Sequence, residues 1–315
     1  MYQILITDKL PDSAVNILKQ NSNYNVTESL NISPEVLKKE IAGYHALIVR
    51  SATTVTSEII EAGKNLKVIG RAGSGLDNID VSAAKKKNIE VLNTPGSNSQ
   101  AVAELTISMM FALSRNLYTA FKSLKEGRWE KSKLGGSEIM GKTLGLIGFG
   151  QIGQKVGKMA DGLDMRVLVY KRSPVRRSPG FPYELVELDF LLAKSDYVSL
   201  HLPKNEQSVN LFDLNTMRKM KKEAFLINCA RGGIVNENDL LSAMEKDILA
   251  GAAIDVFDTE PPKDFSLVNH AKVIATPHIG ASTKESQERV GLDIVNSVMH
   301  FLETKYLFIS GKKSG

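Results

Sequence analysis

The chain has 315 residues, a formal charge of +5 and a single cysteine, Cys229. This length is sufficient for two domains with separate cores, and one thiol excludes an internal disulfide. No apolar run approaches the ~20 residues needed to cross a bilayer, and the first residues lack the pattern of a secretory signal. We therefore expect a globular cytoplasmic protein that does not associate with membranes.

Basic residues are spread along the chain in short runs such as Lys85-Lys86-Lys87. These runs have no interleaved aromatic residues, and neither a helix-turn-helix pattern nor a zinc-ligand spacing is present. The sequence therefore predicts neither a nucleic-acid partner nor a metal site. A mild positive charge would suit an anionic substrate and a cofactor that carries phosphates.

The first part of the chain alternates between apolar runs and helix-compatible segments. Strands are predicted at 2–7, 46–49, 66–69 and 89–92, and helices at 11–20, 33–41, 55–62 and 81–86. Such alternation predicts a parallel sheet with helices on both faces. A long apolar helix is predicted next, at 99–116, because neither glycine nor proline interrupts it.

The segment from 117 to 140 is more polar and contains the only tryptophan, Trp129. Two interpretations remain open for it. It is either an arm, at about 115–140, that packs on another subunit, or a surface excursion, and the arm is favoured.

A glycine-rich turn, Gly148-Phe149-Gly150-Gln151-Ile152-Gly153, follows an apolar run and precedes a helix-compatible segment and a second apolar run. This order of strand, turn, helix and strand predicts a dinucleotide-binding unit rather than an ordinary turn. Gly148 permits the tight turn, Gly150 lets the backbone approach a pyrophosphate, and Gly153 lets the helix pack closely. The helix N-terminus would then donate N–H groups to the phosphates.

One feature departs from that pattern: Lys171 and Arg172 stand at the end of the second strand, where an acidic residue usually binds the ribose. Two cations there would attract a 2′-phosphate. The local chemistry thus favours NADP over NAD.

Four further strand-like runs are each followed by a loop with a candidate functional residue, namely Pro203, Arg231, Glu260 and His278. Ligands of open α/β sheets bind at the carboxyl ends of the strands, so these residues are expected to lie near one another. A guanidinium can hold a carboxylate, a histidine can transfer a proton, and a carboxylate can orient that histidine. Alone, each is more easily explained as a surface ion-pair residue, a turn acid or a loop histidine. Together they indicate hydride transfer to and from an α-keto acid.

An amphipathic helix is predicted at 282–301 and is expected to pack back on the first domain. We therefore predict a discontinuous substrate-binding domain formed by 1–98 plus 284–315. The predicted dinucleotide-binding domain covers 99–283.

Seven motifs resemble the D-2-hydroxyacid dehydrogenase family over nearly the whole chain, most closely its 3-phosphoglycerate dehydrogenases. They are RSATTVT at 50–56, GRAGSGLDNID at 70–80, NTPGSNSQAVAELT at 93–106, LIGFGQIG at 146–153, NCARGGIV at 228–235, DVFDTEPP at 255–262 and PHIGAST at 277–283. The resemblance implies two Rossmann-like, doubly wound α/β domains with a cleft between them, and a homodimer or homotetramer. It also implies NAD as cofactor and oxidation of 3-phosphoglycerate in serine biosynthesis.

The resemblance also assigns roles to individual residues. Arg231 would bind substrate, Glu260 would support the histidine, and His278 would be the acid/base. Arg50, Ser74, Gly75 and, from the arm of a neighbouring subunit, Lys131 would bind substrate. The cofactor would contact Ser74, Gly148, Gly150, Gln151, Ile152, Gly153, Lys171, Arg172, Pro203, Cys229, Ala230, Asp255 and Gly280.

Two other functions stay open. Lys131 stands where an arginine is usual, and lysine lacks the bidentate fork that favours phosphate binding. A glyoxylate or hydroxypyruvate reductase, which needs no phosphate site, is therefore the alternative. A nucleotide-sensing binding protein on the same scaffold is less consistent with the presence of Arg231, Glu260 and His278 together.

Overall fold

The computed structural model describes residues 1–172 and 179–305, which form two compact units. Unit 1 comprises Met1–Asn98 and the chain from Ser282 onward, and unit 2 comprises Ser99–Ala281. The second boundary lies two residues before the predicted one. The part of the predicted first domain beyond residue 305 lies outside the described residues.

Unit 1 contains a parallel five-stranded sheet with the order β2-β1-β3-β4-β5. Its strands are β1 Tyr2–Ile6, β2 Tyr24–Glu28, β3 Ala46–Val49, β4 Val68–Arg71 and β5 Glu90–Asn93. The helices connecting them are α1 Asp12–Gln20, α2 Pro34–Glu40, α3 Ser57–Ala62 and α4 Val81–Lys86. As predicted, Ser33 caps α2 by accepting a hydrogen bond from the amide of Val36.

The sheet of unit 1 is buried on both faces. Alternate residues of β1 point to opposite sides, so Ile4 and Ile6 join one apolar cluster and Leu5 joins the other. The late helix α12, Lys284–His300, covers the first face. A Cβ at Gly70 of β4 would lie only 2.8 Å from Val298 of α12, so the glycine permits this close approach.

Unit 2 contains a parallel seven-stranded sheet with the order β12-β11-β10-β9-β6-β7-β8. Its strands are β6 Thr143–Ile147, β7 Arg166–Tyr170, β8 Glu184–Leu185, β9 Tyr197–Leu200, β10 Phe225–Asn228, β11 Gly251–Ile254 and β12 Val273–Ala275. Its helices are α5 Ser99–Ser114, α6 Leu117–Lys125, α7 Gln151–Asp161, α8 Leu188–Lys194, α9 Leu214–Met217, α10 Glu237–Glu245 and α11 Ser266–Asn269. A 3₁₀ turn, Lys131–Lys133, lies in the segment between α6 and β6.

Both sheets confirm the predicted fold class, two doubly wound α/β sheets. Three strands of unit 2, β6, β9 and β11, are fully buried, which explains their mostly apolar sequences. Within the described residues, no helix is long and apolar enough to cross a membrane, and no group of acidic, histidine or cysteine side chains has the geometry of a metal site.

Candidate active site

The carboxyl edge of the unit 2 sheet collects the predicted chemical groups. Arg231 follows β10, Glu260 follows β11 and His278 follows β12, three strands that are adjacent in the sheet. Pro203 follows β9, which neighbours β10 on the other side. The parallel topology thus brings residues that are far apart in sequence to one edge.

His278 and Glu260 form a hydrogen-bonded pair, with 2.6 Å between Nδ1 of the imidazole and Oε2 of the carboxylate. The other carboxylate oxygen, Oε1, accepts a hydrogen bond from the amide of Phe257 at 3.0 Å. Glu260 is therefore fixed by its own loop while it orients the imidazole. The side chains remain 47% and 38% exposed, respectively, so the imidazole can still reach a small molecule.

His278 has a left-handed backbone, with φ of +52°. That conformation is uncommon for a residue with a β-carbon, so the surrounding structure must stabilise it. Asp255, which is 1% exposed, provides this support. Its Oδ1 accepts hydrogen bonds from the Thr276 hydroxyl at 2.6 Å and the Ile279 amide at 2.8 Å, and its Oδ2 accepts one from the Gly280 amide at 2.8 Å.

The Arg231 loop is held by the side chain of Asn228, the last residue of β10. Its Nδ2 donates to the Arg231 carbonyl at 3.0 Å, and its Oδ1 accepts from the Ala230 amide at 3.1 Å. A Cβ at Gly232 would lie 1.7 Å from the carbonyl oxygen of Phe257. Only glycine therefore lets the Arg231 loop lie against the loop that carries Glu260.

The glycine-rich turn joins β6 to α7 and has the features expected of a dinucleotide site. Gly148 has φ of +94°, and a Cβ there would lie 2.3 Å from the His201 carbonyl oxygen. A Cβ at Gly153 would lie 2.5 Å from the carbonyl oxygen of Gly148. These glycines are required by the turn and by the packing of α7, respectively.

Gly150 differs, because a Cβ there would meet no described atom within 4 Å. It faces open space immediately before α7, and no side chain in the described part of the chain caps this helix. Gln151 and Ile152 begin the helix, so their N–H groups point out of the turn. An uncapped helix N-terminus beside an open backbone fits the pyrophosphate of a dinucleotide.

A cavity of about 380 Å³ lies beside this turn. Gly148, Gly150, Lys171, Arg172 and Pro203 all line it, so the structure brings together five of the residues predicted to contact the cofactor. Gln207 lines it too, and its side-chain oxygen accepts a hydrogen bond from Arg172. His201, also in the wall, is partly buried, and desolvation of its ring lowers its pKa to about 4 and leaves it neutral near pH 7.

Cys229 and Ala230 lie just after β10 and are both buried. The Cys229 sulfur lies 3.5 Å from the sulfur of Met109 on α5. Burial, with a smaller contribution from the charge of Asp255, raises the pKa of the thiol to about 12. Cys229 is therefore a packed, protonated side chain and not a nucleophile.

The carboxyl edge of the unit 1 sheet carries the three predicted substrate residues of that unit. Arg50 follows β3, and its guanidinium donates to the Lys9 carbonyl at 3.3 Å. Ser74 and Gly75 follow β4, and the Ser74 hydroxyl donates to Asn98 Oδ1 at 2.8 Å. Lys131 lies in unit 2, in the exposed turn after α6.

Comparison with known proteins identifies the family. The family model for the NAD-binding domain of D-isomer-specific 2-hydroxyacid dehydrogenases matches residues 107–280. A hydroxypyruvate reductase of Thermotoga maritima is 45% identical over 300 residues, which cover 94% of this chain and 97% of that protein. The chain belongs to the D-isomer-specific 2-hydroxyacid dehydrogenases.

Other relatives in the family differ in length. The human D-3-phosphoglycerate dehydrogenase is 42% identical over 307 residues, which cover 97% of this chain but 57% of that protein. The chain thus spans little more than half of that relative. A glyoxylate reductase from Paecilomyes thermophila has a matching crystal structure, with a TM-score of 0.89, 27% identity and 96% of each chain covered.

Three residues of this family member were not singled out by sequence reasoning. Asn228 shapes the Arg231 loop, Asp8 holds the Arg50 loop, and Arg71 ends β4 with its guanidinium against Gly73. A Cβ at Gly73 would lie 1.6 Å from Arg71 Nη1. Each is polar and placed at a strand end, which is the one signal that could have identified it.

Proposed function

We propose that this protein interconverts D-2-hydroxy acids and 2-keto acids with a nicotinamide cofactor. The observation that supports this best is the His278–Glu260 pair on the sheet edge that also carries Arg231 and the glycine-rich turn. A nicotinamide dinucleotide bound at that turn would supply the hydride acceptor or donor. A redox reaction of an α-hydroxy acid then needs from the protein a carboxylate-binding cation and a proton acceptor.

The residues at this edge meet both needs. Arg231 binds the substrate carboxylate through its planar fork and polarises the adjacent carbonyl. His278 accepts the hydroxyl proton at Nε2 during oxidation and returns it during reduction, because Nδ1 faces Glu260. Glu260 stabilises the imidazolium form and keeps the ring in one orientation.

A substrate panel tests the proposed reaction. Purified protein is assayed with NAD and NADP against 3-phosphoglycerate, glycerate, lactate and 2-hydroxyglutarate. In the reverse direction it is assayed with glyoxylate and hydroxypyruvate. Turnover of at least one D acid, and not of its L isomer, is expected. Absence of turnover throughout the panel would contradict the proposed reaction.

Within this class we propose 3-phosphoglycerate as the substrate, oxidised to 3-phosphohydroxypyruvate in serine biosynthesis. Two positive charges support this choice. Arg50 follows Val49, the last residue of β3, and Val49 pairs with Arg71, the last residue of the adjacent strand β4. Two guanidiniums on neighbouring strand ends suit a phosphate dianion. Ser74, the Gly75 amide and Lys131 from the arm of a neighbouring subunit complete the proposed set of substrate-binding groups.

Hydroxypyruvate or glyoxylate reduction is the second candidate, and one observation favours it. The hydroxypyruvate reductase of Thermotoga maritima is 45% identical to this chain, a higher identity than the 42% of the human D-3-phosphoglycerate dehydrogenase. Arg50→Ala and Lys131→Ala distinguish the candidates. A phosphate role predicts a large rise in KM for the phosphorylated substrate and little change for glyoxylate.

For the cofactor, we propose that NADP(H) is used at least as well as NAD(H). Among the described residues that line the cavity beside the glycine-rich turn, none is acidic, while Lys171 and Arg172 are basic. A carboxylate would repel the 2′-phosphate of NADP, and these cations attract it. The family description names NAD, so direct measurement has to decide.

The measurement is the ratio of kcat/KM for NADP to that for NAD in the wild type and in Lys171→Asp. The ratio should fall about tenfold or more in the variant, since a favourable contact becomes repulsive. Lys158→Asp is the matched control, because Lys158 lies exposed on α7 and outside the cavity. A strong NAD preference in the wild type and in Lys171→Asp would contradict the electrostatic argument.

We also propose a homodimer, or a homotetramer built from it, that assembles through the segment after α5. Three apolar residues of α6, Leu117, Phe121 and Leu124, are spaced along one helical face and are 36%, 63% and 57% exposed. Trp129 is 81% exposed. Such an apolar patch is typical of a protein interface. Phe121→Glu should shift the mass in solution toward the monomer, and Lys122→Glu should not.

A further inference from the structure

The loop that carries Arg50 is held in place by a buried carboxylate. Asp8 follows β1 and is 7% exposed. Its Oδ2 accepts hydrogen bonds from the amides of Arg50 at 2.5 Å and Thr53 at 3.2 Å. Its Oδ1 accepts one from the Thr53 hydroxyl at 2.6 Å. One side chain therefore binds the first and the last residue of the 50–53 loop.

Asn78 binds the same two residues by their carbonyls. Its Nδ2 donates to the Arg50 carbonyl at 2.7 Å and to the Thr53 carbonyl at 2.6 Å. A side-chain amide has two donor hydrogens, so both are used. The backbone N–H and C=O groups at both ends of the loop are thus satisfied by side chains from two other segments.

The middle of the loop has a different character. Ser51 and Ala52 are exposed, and within the described part of the chain their N–H groups donate no hydrogen bond. These two successive free amides follow Arg50, whose guanidinium is a further donor group. Exposed successive amides of this kind can donate hydrogen bonds to a bound anion.

We propose that Asp8 and Asn78 are positioning residues that hold the 50–53 loop in its anion-binding shape. The anion is the acidic end of the substrate, a phosphate or a carboxylate, received by Arg50 and the amides of Ser51 and Ala52. This inference rests on the proposed function. Asp8 acts through hydrogen bonds and not through its charge, because a negative charge beside an anion site would weaken binding.

The acceptor pattern of Asp8 makes that distinction testable. Both backbone amides donate to Oδ2, and the only donor to Oδ1 within the described residues is a hydroxyl. In Asp8→Asn, the amide oxygen can take the Oδ2 position and accept both N–H bonds. The amide nitrogen can then donate to Thr53 Oγ1, which can itself donate to Thr7 Oγ1 at 2.9 Å. The neutral side chain therefore preserves the loop, whereas alanine removes every bond.

The experiment measures kcat and KM for 3-phosphohydroxypyruvate and hydroxypyruvate in wild type, Asp8→Ala, Asp8→Asn and Asn78→Ala. For the better of the two substrates, Asp8→Ala and Asn78→Ala should raise KM about tenfold or more, with kcat changed far less. Asp8→Asn should restore KM to within about threefold of the wild-type value. Amide hydrogen exchange at Arg50 and Thr53 should be fast in Asp8→Ala and slow in Asp8→Asn.

Asp80→Ala controls for general loss of stability in unit 1, because Asp80 caps α4 through the amide of Ala83. It should lower the melting temperature while leaving KM unchanged. Thermal unfolding and the Kd for the cofactor are measured for every variant. An unchanged KM in folded Asp8→Ala, or a loss in Asp8→Asn as large as in Asp8→Ala, would overturn this inference alone. If wild-type protein reduces no 2-keto acid, the proposed function and this inference are both wrong.

Discussion

At the carboxyl edge of each sheet, a buried aspartate accepts hydrogen bonds from a neighbouring loop. The two aspartates differ in the donors that they bind. Asp8 in unit 1 receives two backbone amides on one oxygen and a hydroxyl on the other. Asp255 in unit 2 receives backbone amides on both oxygens. The loop of unit 1 therefore needs one good acceptor atom, whereas the loop of unit 2 needs a carboxylate.

The groups that these loops present differ as well. Unit 1 presents a guanidinium and exposed amides, which can bind anions but cannot serve as a general acid or base near neutral pH. Unit 2 presents His278, held in a left-handed backbone and paired with Glu260. On this comparison, substitutions in unit 1 should act mainly on KM and substitutions in unit 2 mainly on kcat.

The largest effect is expected for His278→Ala. The imidazole is the group proposed to transfer the substrate proton, so its removal should lower kcat about 10²- to 10⁴-fold. Steady-state assays at saturating cofactor measure it, and the Kd for the cofactor should be unchanged. His270→Ala is the matched control, since the His270 ring accepts a hydrogen bond from the Lys272 amide and is not one of the proposed catalytic groups. Full activity in His278→Ala would refute the catalytic assignment.

A smaller effect is expected for Arg50→Ala, and it should appear in KM rather than in kcat. Loss of one charge-assisted contact to a phosphate should raise KM for the phosphorylated substrate by about ten- to a hundredfold. Because Arg50 is proposed to bind the substrate and takes no part in the proposed proton transfer, kcat should change little. An equal loss of kcat would show that the division between the two units is wrong.

Asp255→Asn tests the difference between the two aspartates directly. Whichever way the new amide is turned, its NH₂ group faces a backbone N–H, either that of Ile279 or that of Gly280. An unsatisfied buried donor costs about 1–3 kcal/mol of stability, and the His278 loop loses its support. We expect a lower melting temperature and about a tenfold lower kcat, whereas Asp8→Asn should be nearly neutral in stability. Equal melting temperatures for Asp255→Asn and Asp8→Asn would contradict this difference between the two aspartates.

Much of this arrangement could be predicted from the sequence, because it depends on patterns that are local. Apolar runs marked the buried strands, the glycine spacing marked the turn before α7, and strand ends carried Arg231, Glu260 and His278. The short elements were missed: β8 has two residues, and α9 and α11 have four each. Such elements are stabilised by tertiary contacts, so they have no periodicity to detect.

The supporting side chains could not be predicted for a related reason. Asp8 and Asn78 bind residues that are close in space but 25 or more positions away in the sequence. Asp8 and Arg50 are separated by 42 positions, and only the pairing of β1 with β3 brings them together. Asp255 was assigned to the cofactor through resemblance, and its three bonds to the 276–280 loop add a role that no motif specifies.

The smallest effect is expected at Cys229, a group at the unit 2 edge that takes no part in the chemistry. Its pKa is about 12 in the folded protein and about 9 when the thiol is exposed by unfolding. The protonated thiol therefore adds no pH dependence to stability below pH 9, and stability declines as the pH rises from 9 toward 12. At pH 8 a thiol-specific chromogenic reagent should leave the native protein unmodified and titrate one thiol after unfolding in guanidinium chloride. Rapid labelling of the native protein would mean that the thiol is accessible and ionised, and that the unit 2 edge contains a nucleophile after all.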